Sequence, residues 1–393
     1  MSYRAAYTYA WDLAERGLDT VVAELRGLGL NTATLAGAYH AGKFLRPRGM
    51  GGKVYFPEDG TVYFRTDAAA FGRIKPEPWS GLAEHDFFAE LSARSDIAVN
   101  AWMVLLHNTR VGLAYPDTTV ENAFGDRFIY SLCPSNPDAR AYAVALCREV
   151  TARYGVTGLS IETPGFLPYV HGYHHEFGLM RQNRWFDNSL GLCFCPHCLK
   201  GASAAGIDAA GLRGRVKADI ESFLAAPFDI PDDMAEAFWL ADTRTDGELA
   251  AFLAWRTTVL TSLVAEIRPT VRKDAAVAII PSVARPTAGA WYEGSDLKAL
   301  HGAAGIIEAC FYEPGADRVA VDAWDIKRRI GGAAGLRGIL RPGFPDLRSK
   351  GEVIAAVGAL AAAGIRDIAF YNYGHLRQAS LDWFGEAMAT LGD

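Results

Sequence analysis

From residue 275 to the end, one pattern recurs four times: a short apolar run, then a stretch with helical spacing. The runs cover 275–281, 305–312, 336–341 and 365–371, and the helical stretches lie near 296–300, at 317–330, at 350–363 and from 372 to Leu391. Four earlier runs fit the same unit, at 3–9, 31–38, 97–106 and 156–162. Leu18, Val21, Val22, Leu25 and Leu28 mark the core stripe of the first helix, and Leu249, Phe252, Val259, Leu260, Leu263 and Ile267 that of a helix over 248–268. Eight strands, each followed by a helix, predict an α/β fold of the (β/α)8 TIM-barrel type. A doubly wound sheet is the alternative, but it lacks support from any Gly-x-Gly-x-x-Gly fingerprint.

Two segments exceed the repeat. Residues 41–82 form an excursion after strand 2, in which Asp59-Gly60 between the aromatic runs of 54–64 predicts a β-hairpin. Residues 163–247 form an insertion after strand 4, helical and Ala-rich over 201–247. No linker or solenoid repeat divides residues 1–393, so one barrel domain is expected. Ser135 or Asn136 should cap the helix that opens at Pro137.

A net charge of −6 without a Lys/Arg block argues against nucleic acid or an anionic membrane as partner. The N-terminus lacks the order of a signal peptide and no apolar run approaches a membrane span, so a cytoplasmic protein is expected. Three of the six cysteines, Cys193, Cys195 and Cys198, lie within six residues, which favours a metal over a disulfide framework. With Cys133, from the loop before a helix, they can close a tetrahedral thiolate shell around a structural zinc ion. Cys147 and Cys310 read as small buried hydrophobes.

Barrel chemistry lies at the C-terminal strand ends. Those ends carry Trp11, Tyr39 and His40, His107 and Asn108, Glu162, Arg285, Tyr312 and Glu313, Arg341, and Tyr371, Asn372 and Tyr373. Carboxylates, imidazoles, amides and aromatics in this mixture suit a sugar, with aromatic faces for the ring and polar groups for hydroxyls. His171, His174, His175 and Glu176 follow strand 4 and are expected to line the same pocket; a second metal site there would lack the His-Glu-x-x-His spacing. Arg341 and Arg285, with Lys43 and Arg46, suggest an anionic or strongly polar substituent on the substrate.

The order of Cys133, the strand-ending Glu162 and then Cys193-x-Cys195-x-x-Cys198 resembles the zinc-bearing barrels of the family 42 β-galactosidases. Cys133-Pro-Ser-Asn-Pro and Cys193-Phe-Cys-Pro-His-Cys198 also resemble the hypothetical glycosyl hydrolase 6 group. The specific motifs occupy residues 107–198. The resemblance implies a glycoside hydrolase whose four cysteines hold zinc beside the active site. Two departures stand out: Ile161 takes the place of the Asn that precedes the fourth-strand Glu in the β-galactosidases, and the seventh strand runs into Arg341-Pro-Gly-Phe-Pro-Asp346 with no Glu.

The expected function is therefore cleavage of a small glycoside or oligosaccharide by two carboxylates, Glu162 and Glu313, with Asp346, Glu293 and Glu176 as reserves. The galactosidase pattern would make Glu162 the acid/base. The missing Asn favours the other assignment, a retaining reaction with Glu162 as nucleophile and Glu313 as acid. The alternatives are a metal-dependent hydrolase or sugar isomerase using the His171–Glu176 cluster, or a non-catalytic carbohydrate-binding barrel. Whether identical chains associate is open.

Overall fold

The computed structural model describes residues 2–171, 173 and 177–392. Eight parallel strands close into a barrel: β1 Arg4–Thr8, β2 Thr32–Tyr39, β3 Ala98–Val104, β4 Gly158–Glu162, β5 Ala276–Ile279, β6 Gly305–Cys310, β7 Leu336–Leu340 and β8 Ile368–Phe370. Each strand pairs with the next in sequence, and β1 also pairs with β8, which closes the ring. The expected (β/α)8 barrel is therefore present. Its strands read as continuous apolar runs because each is buried on both faces, by the barrel interior and by the helical ring.

Alternation along the strands decides what enters the barrel. Asn100 and Trp102 on β3, Ser160 and Glu162 on β4, and Glu308 and Cys310 on β6 share the inward parity. Glu308 is wholly buried and accepts hydrogen bonds from the hydroxyls of Tyr3 at 3.0 Å, Tyr7 at 2.9 Å and Ser160 at 2.5 Å. Asn100 Nδ2 in turn donates to Ser160 Oγ at 2.9 Å. Strands β1, β3, β4 and β6 thus meet in a polar plug beneath the mouth.

The predicted 54–64 hairpin is corrected by the structure. Asp59-Gly60 does turn the chain, with Gly60 at φ +62°. The flanking runs, however, pair elsewhere: Val54–Tyr55 with Phe44–Leu45, and Thr61–Val62 with the Ala38-Tyr39 end of β2. The register of β2 against β3 shifts between Ala36 and Ala38, and the Tyr63 N–H donates to the Gly37 carbonyl at 2.9 Å, so the outgoing end of β2 supplies the partner that the local hairpin would have used.

Asn136 caps the helix Pro137–Arg153, its side chain accepting from the amides of Asp138 and Ala139. The insertion after β4 contributes the helices Arg184–Leu190, Pro196–Ala204, Ala209–Leu224 and Asp232–Thr245, which bury Phe186, Phe194, Leu212, Ile220 and Trp239 in an apolar cluster of their own. The helix Gly247–Ile267 returns to the barrel. Contrary to the sequence expectation, it is long and apolar enough to cross a membrane, yet it lies along the barrel with Phe252, Leu260, Leu263 and Ile267 buried.

Candidate active site

At the C-terminal mouth, Tyr7, Tyr39, Glu162 and Cys310 on their strands, with Tyr312, Arg341 and Tyr371 just beyond theirs, line a cavity of about 300 Å³. His40, His171, Ile280, Val283 and Arg285 complete it from the loops. A narrow cleft shares the Glu162, His171, Ile280 and Val283 wall and adds Thr163, Leu167, Ser282 and Glu293. His171, Val283 and Glu293 also border an outer cavity of about 360 Å³ against the insertion. A groove with shared walls thus runs from the insertion to the barrel axis.

Two carboxylates stand in it. Glu162 Oε2 accepts a hydrogen bond from the Trp102 indole at 2.5 Å, and confinement away from water pushes its pKa up to about 7 against that bond's pull. Glu293 ends the 3-10 turn Thr287–Glu293 that follows β5, and the Ser282 hydroxyl donates to its carboxylate. Burial, reinforced by the charge of Glu162, pushes Glu293 up to about 7 as well, while the Ser282 bond and Arg256 oppose the rise. Its position is fixed through the backbone. Phe166 N–H donates to the Glu293 carbonyl at 3.0 Å, and a methyl group at Gly165 would overlap that carbonyl oxygen, so the loop after β4 presses against the turn.

Aromatic rings supply much of the remaining wall. Tyr9 OH donates to Tyr39 OH at 3.0 Å and lies 3.3 Å from Tyr371 OH. Burial holds the phenols of Tyr39, Tyr312 and Tyr371 above their ordinary pKa, so they remain neutral donors. His40 stacks on Tyr39 at 4.3 Å and on His107 at 4.1 Å, and His107 meets His171 edge-on at 5.4 Å.

Tyr39, His40, Glu162, His171, Tyr312, Arg341 and Tyr371, all expected from the sequence, are brought together here. His107 supports His40 from behind. The other candidates go elsewhere. Trp11 is stacked between Tyr9 and Tyr55 in the core. Asn108 caps the helix Thr109–Ala114, and Asn372 accepts from the Gly374 amide. The Tyr373 hydroxyl donates to Glu24 at 2.6 Å and accepts from Arg16, turned away from the mouth. Arg46 is buried against Asp12 and Glu15. Glu313 is not among the described residues lining the groove: its carboxylate takes a 2.5 Å bond from Arg318. Tyr312 lines the cavity and Glu313 does not. His174, His175 and Glu176 lie outside the described residues.

Beside the groove, the sulfur atoms of Cys133, Cys193, Cys195 and Cys198 lie within 4.8 Å of one another, all buried. Cys133 Sγ is 3.8, 3.6 and 3.5 Å from those of Cys193, Cys195 and Cys198. A tetrahedron with metal–sulfur bonds of about 2.3 Å has edges of about 3.8 Å, so this cluster can hold a metal ion. Among the described residues it is the only such group. It packs on Phe166 and Leu167, joining the loop after Glu162 to the insertion and to the antiparallel pair Thr119–Glu121 and Arg127–Leu132.

No protein-family model and no curated protein matches the chain. Among solved structures, it is similar to the PgaB (BpsB) glycoside hydrolase domain from Bordetella bronchiseptica, at 16% identity and TM-score 0.56 over 99% of both chains. It is also similar to α-L-fucosidase isoenzyme 2 from Paenibacillus thiaminolyticus, at 13% identity and TM-score 0.58 over 100% of this chain and 49% of the fucosidase. At these identities the likeness speaks for the fold.

Proposed function

We propose that the protein is a glycoside hydrolase in which Glu162 and Glu293 are the catalytic carboxylates. The observation that carries this reading is their joint lining of one cleft at the barrel mouth, both with pKa raised to about 7. Hydrolysis of a glycosidic bond needs one carboxyl to protonate the leaving oxygen and one carboxylate facing the oxocarbenium-like centre. Trp102 stabilises charge on Glu162, while that charge favours the proton on Glu293. Glu162 therefore serves as nucleophile or base and Glu293 as acid. Tyr39, Tyr371 and His40, which line the cavity, would read hydroxyls. Two similar structures, a glycoside hydrolase domain and an α-L-fucosidase, support this reading.

The cysteine cluster is proposed to hold zinc. Four sulfur ligands would close the shell, so the ion ties the loop after β4 in place rather than reacting with substrate. The six cysteines, none in a disulfide, suit a reducing cytoplasm.

The test is a set of single variants assayed on activated aryl glycosides. Glu162→Gln and Glu293→Gln should each lower kcat by about 100-fold or more, whereas Glu313→Gln should stay near wild type. Azide rescue of Glu162→Gln would identify a retaining reaction. Near-normal turnover by both Glu162→Gln and Glu293→Gln would rule this assignment out.

A further inference from the structure

The wall of the axial cavity three strands from Glu162 is cationic. Arg341, just beyond β7, stacks its guanidinium over the Tyr312 ring at 4.4 Å and donates from Nε to Asp346 Oδ2 at 2.5 Å. Arg285, from the loop after β5, donates from Nη1 to Asp346 Oδ1 at 2.9 Å and to the Tyr312 carbonyl at 3.1 Å. One carboxylate, its side chain wholly buried, is thus shared by two guanidinium groups.

Those are the hydrogen bonds these two arginines make among the described residues. Both Nη groups of Arg341 remain unspent, as do Nε and Nη2 of Arg285. The side chains line the cavity and keep 29% and 43% of their surface open. Among the described residues, two positive charges against Asp346 leave one unanswered, and the carboxylate that lines the cavity, Glu162, belongs to the proposed chemistry. A neutral sugar would fill this space without meeting that charge. The Nη1/Nη2 fork of Arg341, held flat by Tyr312, has the planar two-donor geometry that fits the two oxygens of a carboxylate.

We propose that the sugar bound in this cavity carries a carboxylate, as a uronic acid does, and that Arg341 with Arg285 receives it. For turnover this rests on the glycosidase reading; for binding it does not. Phosphate and sulfate esters carry the charge but lack the planar pair of oxygens, so they form a separate arm of the test.

The experiment is calorimetric binding at low salt to the full chain, using glucuronate and galacturonate, their neutral hexoses, and the hexose 6-sulfates and 6-phosphates. At least one uronate should bind about 10-fold or more tightly than its hexose, as expected for charge-assisted hydrogen bonds. Arg341→Gln should remove that gap, and Arg341→Lys, which keeps the charge and loses the fork, should retain only part of it. Thermal melting checks that the variants fold, and the wild-type ratio decides without them. Uronates binding no better than hexoses, a gap that survives in both Arg341→Gln and Arg285→Gln, or a 6-sulfate or 6-phosphate outbinding the uronates would each overturn the proposal. Aryl uronides and neutral aryl glycosides are assayed in parallel. A binding gap without turnover of either keeps the anion site and removes the glycosidase reading. Turnover of neutral glycosides with uronides neither bound nor cleaved does the reverse.

Discussion

Arg256 shows how a buried cation behind the groove can lower the proton affinity of a carboxylate that lines it. It is 1% exposed within the helix Gly247–Ile267, with its guanidinium 4.4 Å from the Phe166 ring centre and 4.9 Å from that of Tyr292. Among the described residues none of its three side-chain nitrogens has a hydrogen-bond partner. A buried cation in that state is costly unless an anion answers it, and Arg256 does hold down the pKa of Glu293. Arg256→Met should therefore move the Glu293 pKa further up, by on the order of one unit, and shift the alkaline limb of kcat/KM to higher pH. Arg256→Lys should restore part of the shift. Equal loss of activity at every pH would mark a purely structural role. The same scale explains what the sequence disclosed. Glu162 was legible because it closes a strand. Glu313, the partner expected from the sequence, lies apart from the groove: Cys310 and Tyr312 line the cavity, and the Glu313 carboxylate pairs with Arg318. Glu293 was legible only as a reserve, because it ends a 3-10 turn set in place by contacts with Gly165 and Phe166, far away in sequence.

The elements that shape the mouth are the loop after β4, the antiparallel pair before Cys133 and the insertion, and the cysteine cluster is where they converge. If zinc holds this junction, freshly purified protein should contain about one zinc per chain by elemental analysis, and Cys133→Ser should lose most of it. Stripping the ion should lower the melting temperature before it abolishes turnover, since a closed thiolate shell gives substrate no coordination position. Full zinc content in Cys133→Ser would remove the four-cysteine assignment. The cluster was legible because Cys193, Cys195 and Cys198 are local, and Cys133 lies in the loop just before the helix Pro137–Arg153. The 54–64 region was not, because a hairpin signal describes only the turn. Asp59-Gly60 turned the chain as expected, but the strand partners came from Ala38-Tyr39 and Phe44–Leu45, which no local pattern specifies.

For the molecule as a whole, the eight repeating units were legible because a barrel strand buried on both faces has to be continuously apolar, and the exceptions to that apolarity mark the interior. Glu308 fills the base of the barrel with hydroxyl partners, whereas Glu162 and Glu293 at the mouth are left short of them. The difference has a thermodynamic consequence. A carboxyl raised from an ordinary 4.5 to about 7 in the folded state binds its proton more tightly there than in the unfolded chain. The stability linked to these two groups is therefore fully present below pH 4.5 and is lost as pH rises through about 7. At about 1.4 kcal/mol per unit, the two shifts together correspond to at most about 7 kcal/mol, and relaxation and partial exposure to the groove should reduce this to about 2–5 kcal/mol. Urea unfolding of the wild type and of Glu162→Gln/Glu293→Gln at pH 5 and pH 8 measures the effect. The double variant should gain stability relative to wild type between the two pH values by about that amount, because the carboxyls it lacks are those that must ionise inside the cleft. An unchanged difference from pH 5 to pH 8 would show that the two groups titrate as solvent-exposed carboxylates, and would remove the raised acid on which the assignment of Glu293 depends.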